Sequence, residues 1–235
     1  MSLLTVVQNA TVLLGLDRPS SVYGSSNAQV RLLTQLLMVE GRDLVKTYDW
    51  SALTTAKTFT FISGNPQTGE PPAAFDRMSR AGDGEYVVWN DTNNWGIVGP
   101  VSASQWTEYL ARSFTALPQY WRMIDGVLNV TNAVAGATGR YEYISKYWIL
   151  QAAATPGATL TADTDTFEFS ENLLELGLVW RWKAAKGLDY AEDMETYNRH
   201  RQDCIASDKG QARTINTASE RIDRSTRTWY GTITG

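Results

Sequence analysis

Asp163, Asp165 and Glu168 are the densest group of side chains able to do chemistry in this chain, set as D-T-D-T-F-E. Paired carboxylates can hold Ca²⁺, or divide acid and base roles at a glycosidic bond. A calcium loop needs further oxygen ligands at fixed spacing and a glycine, and this stretch lacks both. The segment is therefore expected to be an acidic turn leading into a strand. Were it a glycoside hydrolase site, Asp165 would be the residue on which activity depends.

The chain has one histidine, His200, and one cysteine, Cys204. A disulfide within the chain is impossible, and a Cys/His zinc site cannot be assembled. A Ser-His-Asp arrangement would have to use His200, which falls on a highly charged helix face, a poor place for a buried triad. There is no GxxxxGK[ST] phosphate loop, no GxGxxG after a strand and no GxSxG elbow. No catalytic, cofactor-binding or metal-binding residue is assigned, and no cofactor is expected. The net charge of −4 argues against a protein whose main task is gripping nucleic acid. It is compatible with a conduit through which nucleic acid slides without sequence-specific binding. No apolar run reaches the ~18 residues of a membrane span, so no membrane is expected. The N-terminus lacks a basic leader region, and the N-x-T sites at Asn9, Asn90 and Asn129 are expected to be chance matches.

The elements that position these residues follow from periodicity. Leu3, Val6, Val7, Ala10, Leu13 and Leu14 share one helical side, and Gly15 stops that helix. Ser26 with Gln29 has capping-box spacing and opens a long helix from about Asn27 to Tyr48, with Val30, Leu33, Leu36, Leu37, Leu44, Val45 and Tyr48 as its buried stripe. Gly41 costs that helix about 1 kcal/mol against Ala, which predicts close packing or a slight bend there. After Trp50 the period falls to two. Thr58 to Ile62 reads as a strand, Glu85–Trp89 with Trp95–Val98 as a hairpin, and Trp121–Ile124 with Val127–Val130 as a second hairpin across Asp125-Gly126. A short helix is expected over Gln105–Phe114, alternation resumes over Tyr141–Ile149, and residues 155–169 read as loop plus a short strand. The strands follow one another without crossover helices, so the sheet is expected to be mainly antiparallel.

Residues 167–206 read as a helical hairpin turning at Gly187. Ser170 suits the first N-cap, and Asp189 with Glu192 the second. Trp180 and Trp182 cannot share a helical face, so one is expected on the core and the other against a neighbouring element or subunit. The second arm is polar but carries Tyr190, Met194, Tyr197, Arg201 and Ile205 at helical spacing. Such an arm looks built to meet another chain. Residues 207–235 are polar, punctuated by Ile215, Ile222, Trp229, Tyr230 and Ile233, and are expected to order on a partner. Tyr197, Arg201, Ile215, Ile222, Trp229 and Tyr230 are the expected partner-binding residues. The fold class is α+β, with residues 1–54 and 170–206 forming a helical body, 55–169 a β-rich region inserted in it, and 207–235 an extended arm.

Several stretches, taken in order, resemble the head-to-tail adaptor proteins of short-tailed bacteriophages, also called tail tubular protein A or head-tail connector proteins. They are LLTVVQNATVLLGL at the N-terminus, the long helix running into Asp49-Trp50, and Thr58-Phe-Thr-Phe. Trp121-Arg-Met-Ile124 and Tyr143-Ile-Ser-Lys146 follow, then Asp163-Thr-Asp165, Glu171-Asn-Leu-Leu174, Trp180-Arg181 and Lys186 to Asp193. The ordered set covers most of residues 2–206. The resemblance implies a non-enzymatic subunit of a dodecameric ring beneath the portal, in the virion at the head–tail junction and assembled in the host cytoplasm. The ring extends the DNA channel and seats the tail nozzle protein. The alternative from composition is a carbohydrate- or receptor-binding β module of a phage tail, suggested by 9 Trp residues.

Overall fold

The structure, a computed structural model, describes residues 2–79, 87–111 and 119–208. Helix α1 (Leu3–Leu13) buries Leu3, Val6, Val7 and Ala10 on one side, and the Ser2 hydroxyl accepts from the Thr5 N–H at its start. Helix α2 (Ala28–Thr47) buries Val30, Leu33, Leu37, Leu44 and Val45, but also Glu40 and Gly41. Its cap lies one residue beyond the sequence expectation. Asn27, not Ser26, accepts from the Gln29 N–H, at 2.9 Å, because either residue offers a short polar acceptor and the chain enters the helix at Asn27.

The strands are β1 (Thr54–Thr60), β2 (Phe75–Met78), β3 (Val88–Asn90) and β4 (Trp95–Ile97). After helix α3 (Ala103–Ala111) come β5 (Trp121–Ile124), β6 (Val127–Val130), β7 (Thr138–Ser145), β8 (Ile149–Gln151), β9 (Thr155–Gly157) and β10 (Thr166–Phe167). All the named strands pair antiparallel. Strand β7 is the organiser. β1 runs along one edge of it from Thr54↔Ile144 to Thr60↔Thr138, while β3 and β2 divide the other edge at Gly139–Tyr141 and Tyr143–Ser145. β5 and β6 form a hairpin with Asp125 and Gly126 both at positive φ, the geometry expected of that dipeptide.

Several strand expectations shift: β2 is not foreseen, β3 runs to Asn90, and residues 155–169 hold two short strands, β9 and β10, instead of one. The alternation Thr58–Ile62 belongs to a strand that starts at Thr54 and ends at Thr60, and the buried Phe61 continues its backbone bonding irregularly, donating to the Ala137 carbonyl and accepting from the Gly136 N–H. The alternation Tyr141–Ile149 divides into β7 and β8 around a buried Trp148. The expectations for Glu85 and Tyr86 and for residues 112–114 lie outside the described residues.

Helices α4 (Glu171–Ala185) and α5 (Ala191–Asp208) form the hairpin. Gly187 at φ +70° lets the Leu188 N–H reach the Lys183 carbonyl at 2.9 Å and the Gly187 N–H reach Ala184 at 3.1 Å, closing α4. Ser170 stands at the N-cap of α4 without a capping side-chain bond. At the start of α5, Asp189 accepts from the Ala191 N–H at 3.2 Å. The helix runs two residues past the expected end at 206, and the Asp208 carboxylate accepts from both Ser51 N–H (2.8 Å) and Ser51 Oγ (2.7 Å). Trp182 packs into the core and Trp180 lies against Tyr197 of α5 and Tyr190 just before that helix.

Two cores result, and the protein is α+β. One joins α1, α2, α4 and Tyr197 of α5 with Ile144, Trp148, Ile149, Phe167 and Phe169. The other lies among the strands and contains Phe59, Phe61, Val88, Ile97, Trp121, Leu128, Tyr141 and Tyr143. β7 therefore spans both, with Tyr143 in one and Ile144 in the other, because successive residues of a strand point to opposite faces. Arg77 of β2 ties the sheet to the end of α2. Its guanidinium donates to the Val45 and Tyr48 carbonyls at 2.9 and 3.0 Å and pairs with Asp49 at 2.7 Å. A cation placed on the last carbonyls of a helix suits both their lone pairs and the helix dipole. Among the described residues, no helix is long and apolar enough to cross a membrane.

Candidate functional site

Glu40 has 0% exposure and no apolar environment would tolerate its charge unpaired. Helix periodicity places it on the buried stripe of α2, one turn after Leu37 and one before Leu44. Across from it, α4 presents Gly177 and, one turn on, Arg181. A Cβ at position 177 would stand 2.7 Å from Glu40 Cδ, so the missing side chain makes room for the carboxylate. Arg181 Nε then donates to Glu40 Oε2 at 2.5 Å, and its Nη2 donates to Asp43 Oδ2 at 2.6 Å. Glu40 and Asp43, three apart on one helix face, thus share one guanidinium fork. The Tyr197 hydroxyl of α5 donates to Glu40 Oε1. Three helices meet on one carboxylate.

The electrostatics match. Burial, the largest influence, pushes the Tyr197 phenol up, the charge and hydrogen bond of Glu40 add to this, and Arg201 opposes it in part. Burial also works against the Arg181 cation, but Glu40 and Asp43 outweigh it and hold the guanidinium above its ordinary value. Both Glu40 oxygens are occupied and the phenol keeps its proton, so the network offers no acid–base pair. What it does is fix the mutual positions of α2, α4 and α5.

The outer side of this network borders an open groove of about 600 Å³, lined by its own Asp43, Arg181 and Tyr197 together with Trp180, Met194, Lys46 and Arg201. The Arg201 guanidinium lies 5.5 Å from the Tyr197 ring centroid, and that of Arg181 lies 4.6 Å from Trp180. Aromatic rings with cations beside them are the side-chain composition common at interaction surfaces.

The expected partner-binding residues are distributed as follows. Tyr197 and Arg201 come together in this groove, with Tyr197 only 4% exposed and engaged inside the chain. Ile215, Ile222, Trp229 and Tyr230 lie outside the described residues. Glu40, Gly177 and Arg181 escaped the sequence reading. The signals were a carboxylate inside an apolar stripe and a lone glycine amid good helix formers.

The acidic cluster proves to be a clasp. Asp163 accepts from Tyr23 N–H (2.6 Å), Val22 N–H (3.0 Å) and Ser21 Oγ (2.8 Å), fastening the loop between α1 and α2. Asp165, fully buried, accepts from the Thr161 and Ala162 N–H groups. The backbone carbonyls of both receive the otherwise unpaired Leu4 and Leu3 N–H groups at the start of α1. Among the described residues, no three His, Cys, Asp or Glu side chains are placed to hold a metal together. The chain matches no family model and no curated protein.

Proposed function

We propose that this chain is a subunit of a head-to-tail adaptor ring of a short-tailed bacteriophage. In that reading it is a structural virion protein without enzymatic activity. Its dodecameric ring would sit between the portal and the tail nozzle protein, and DNA would pass through the lumen without sequence-specific contacts. The observation that carries the proposal is the architecture. Helices from both ends of the chain share one core, and a β-rich insertion between them builds a second. The ordered sequence resemblance supports the same reading.

A closed ring needs two different, complementary faces on each subunit. Among the exposed apolar side chains, Val12 and Leu13 stand at the end of α1 and Leu188, Tyr190 and Met194 at the tip of the helical hairpin, on separate parts of the fold. The carbohydrate-binding alternative gains less support, since none of the eight tryptophans among the described residues is exposed. A sugar platform needs open indole faces. The test is the assembly mass and electron-microscope image of the protein, alone and with a portal protein encoded beside it. A ring stacked coaxially on the portal is expected. A monomer that ignores the portal across a range of salt concentrations would remove the proposal.

A further inference from the structure

The last turns of α5 lie over the start of α4, and side chains of several chemistries converge there. His200 and Cys204 are one turn apart on α5. Cys204 Sγ lies 3.6 Å from His200 Nε2, and the Asn172 amide lies 3.3 Å from the same ring nitrogen. Ser170, at the N-cap of α4, adjoins the thiol. All four are at least partly accessible, and none belongs to the Glu40 network.

A Cys–His–Asn trio invites comparison with a thiol nucleophile, and the geometry argues against one. A relay needs the thiol on one ring nitrogen and the orienting amide on the other. Here both meet Nε2. Burial first, then the Asp203 charge, push the thiol up against the opposing effect of Ser170, whereas an activated thiol is held low.

The same geometry fits a chelate. Sulfur at about 2.3 Å and imidazole nitrogen at about 2.0–2.1 Å from a tetrahedral cation stand roughly 3.5–3.6 Å apart. The observed separation is 3.6 Å. Side chains four apart on a helix point the same way, so no rearrangement is needed to bring these two to one ion. Rotation of the Asn172 amide by half a turn presents its oxygen in place of its nitrogen. Composition excludes a closed Cys/His site, but not an open one with two strong ligands.

We propose that His200 and Cys204 form an open, exchangeable site for one borderline-to-soft cation of the Zn²⁺ class, with the Asn172 amide oxygen as a weaker third ligand and water completing the shell. On binding, the Cys204 S–H bond breaks, its proton passes to solvent, and the sulfur–metal bond forms. The Nε2 lone pair makes the second bond, the ring proton stays on Nδ1, and nothing is oxidised or reduced. Thiolate and imidazole select against Mg²⁺ and Ca²⁺. The bound ion fastens α5 to α4. That matters because Tyr197 is the one residue of α5 that is buried, and a ligand of the folded form stabilises it by mass action.

The test is titration of the full chain with Cd²⁺, followed by the ultraviolet thiolate-to-metal charge-transfer band, with proton release and Zn²⁺ competition measured alongside. One Cd²⁺ and one proton per chain are expected, displaced by Zn²⁺ and not by Mg²⁺ or Ca²⁺. Cys204→Ser abolishes the band. His200→Ala is the deciding variant, because a thiol alone also gives a band. It is expected to weaken binding by at least the roughly 10–100-fold seen when a metal ligand's support is lost. It should also abolish Zn²⁺-dependent hydrogen-exchange protection of the last turns of α5. Equal Cd²⁺ affinity in wild type and His200→Ala would overturn the chelate, as would no binding by the wild type at millimolar Cd²⁺.

Discussion

The Trp148 indole lies directly on the backbone of Gly41, so close that a Cβ at position 41 would stand 2.2 Å from Trp148 Cζ2. The indole is 1% exposed and stacks on Phe167 at a centroid distance of 5.5 Å. Its ring is rigid and enclosed, and it cannot step aside as a flexible side-chain end would. The glycine that weakens α2 is what admits one of the three buried tryptophans of the helical core.

Gly41→Ala is therefore expected to destabilise the protein, although alanine is the better helix former by about 1 kcal/mol. Overpacking costs roughly 1–3 kcal/mol in well-packed cores, and the close approach here puts the net loss near the upper end. Urea denaturation measures it. A more stable variant would mean that Trp148 has room to move.

The Glu40 network predicts a ranking. Tyr197→Phe leaves one buried carboxylate oxygen without its donor and should cost about 1–3 kcal/mol. Arg181→Met removes the counter-charge that Glu40 pairs with among the described residues and should cost about 3–5 kcal/mol. Glu40→Met combined with Arg181→Met should cost less than the two single changes summed, because the stranded charge is gone. Additive losses in denaturant melts would show that the pair is not energetically coupled.

Asp163 predicts a pH dependence. Burial, the largest single influence, raises its pKa, but the hydrogen bonds from Tyr23, Ser21 and Val22 together outweigh it, and the carboxyl titrates below its ordinary value. In the unfolded chain an Asp titrates near about 3.9. Between the two values the unfolded state binds more protons, so stability rises with pH. The contribution is fully present above the unfolded value and is lost as pH falls through the folded one. The stability advantage of wild type over Asp163→Asn should be constant from pH 7 to pH 5 and shrink below pH 4. An advantage that stays level down to pH 2 would contradict this account of the clasp.

Much of the local structure was legible in the residues themselves. The stripe Val30, Leu33, Leu37, Leu44 and Val45 specifies α2, Gly187 ends α4, and Asp125-Gly126 turns the β5–β6 hairpin. Each rests on short-range sterics or on a period that a single element must satisfy. That Gly41 has close packing or a bend as its reason was legible too, and Trp148 against its backbone shows the close packing.

Which partners those elements found was decided only by the tertiary structure. Glu40 meets Arg181 across 141 residues of chain, and Asp163 meets Tyr23 across 140. Helix propensity treats Glu40 like the solvated carboxylates of α5, and its place in the apolar stripe of α2 does not say which partner it finds. Only the burial created when α4 and α5 close over α2 makes the difference, since a charge removed from water must find its counter-charge inside. The same holds for Tyr197 and Arg201, which helical spacing marks as one face but which only packing divides into a buried phenol and a guanidinium at the groove.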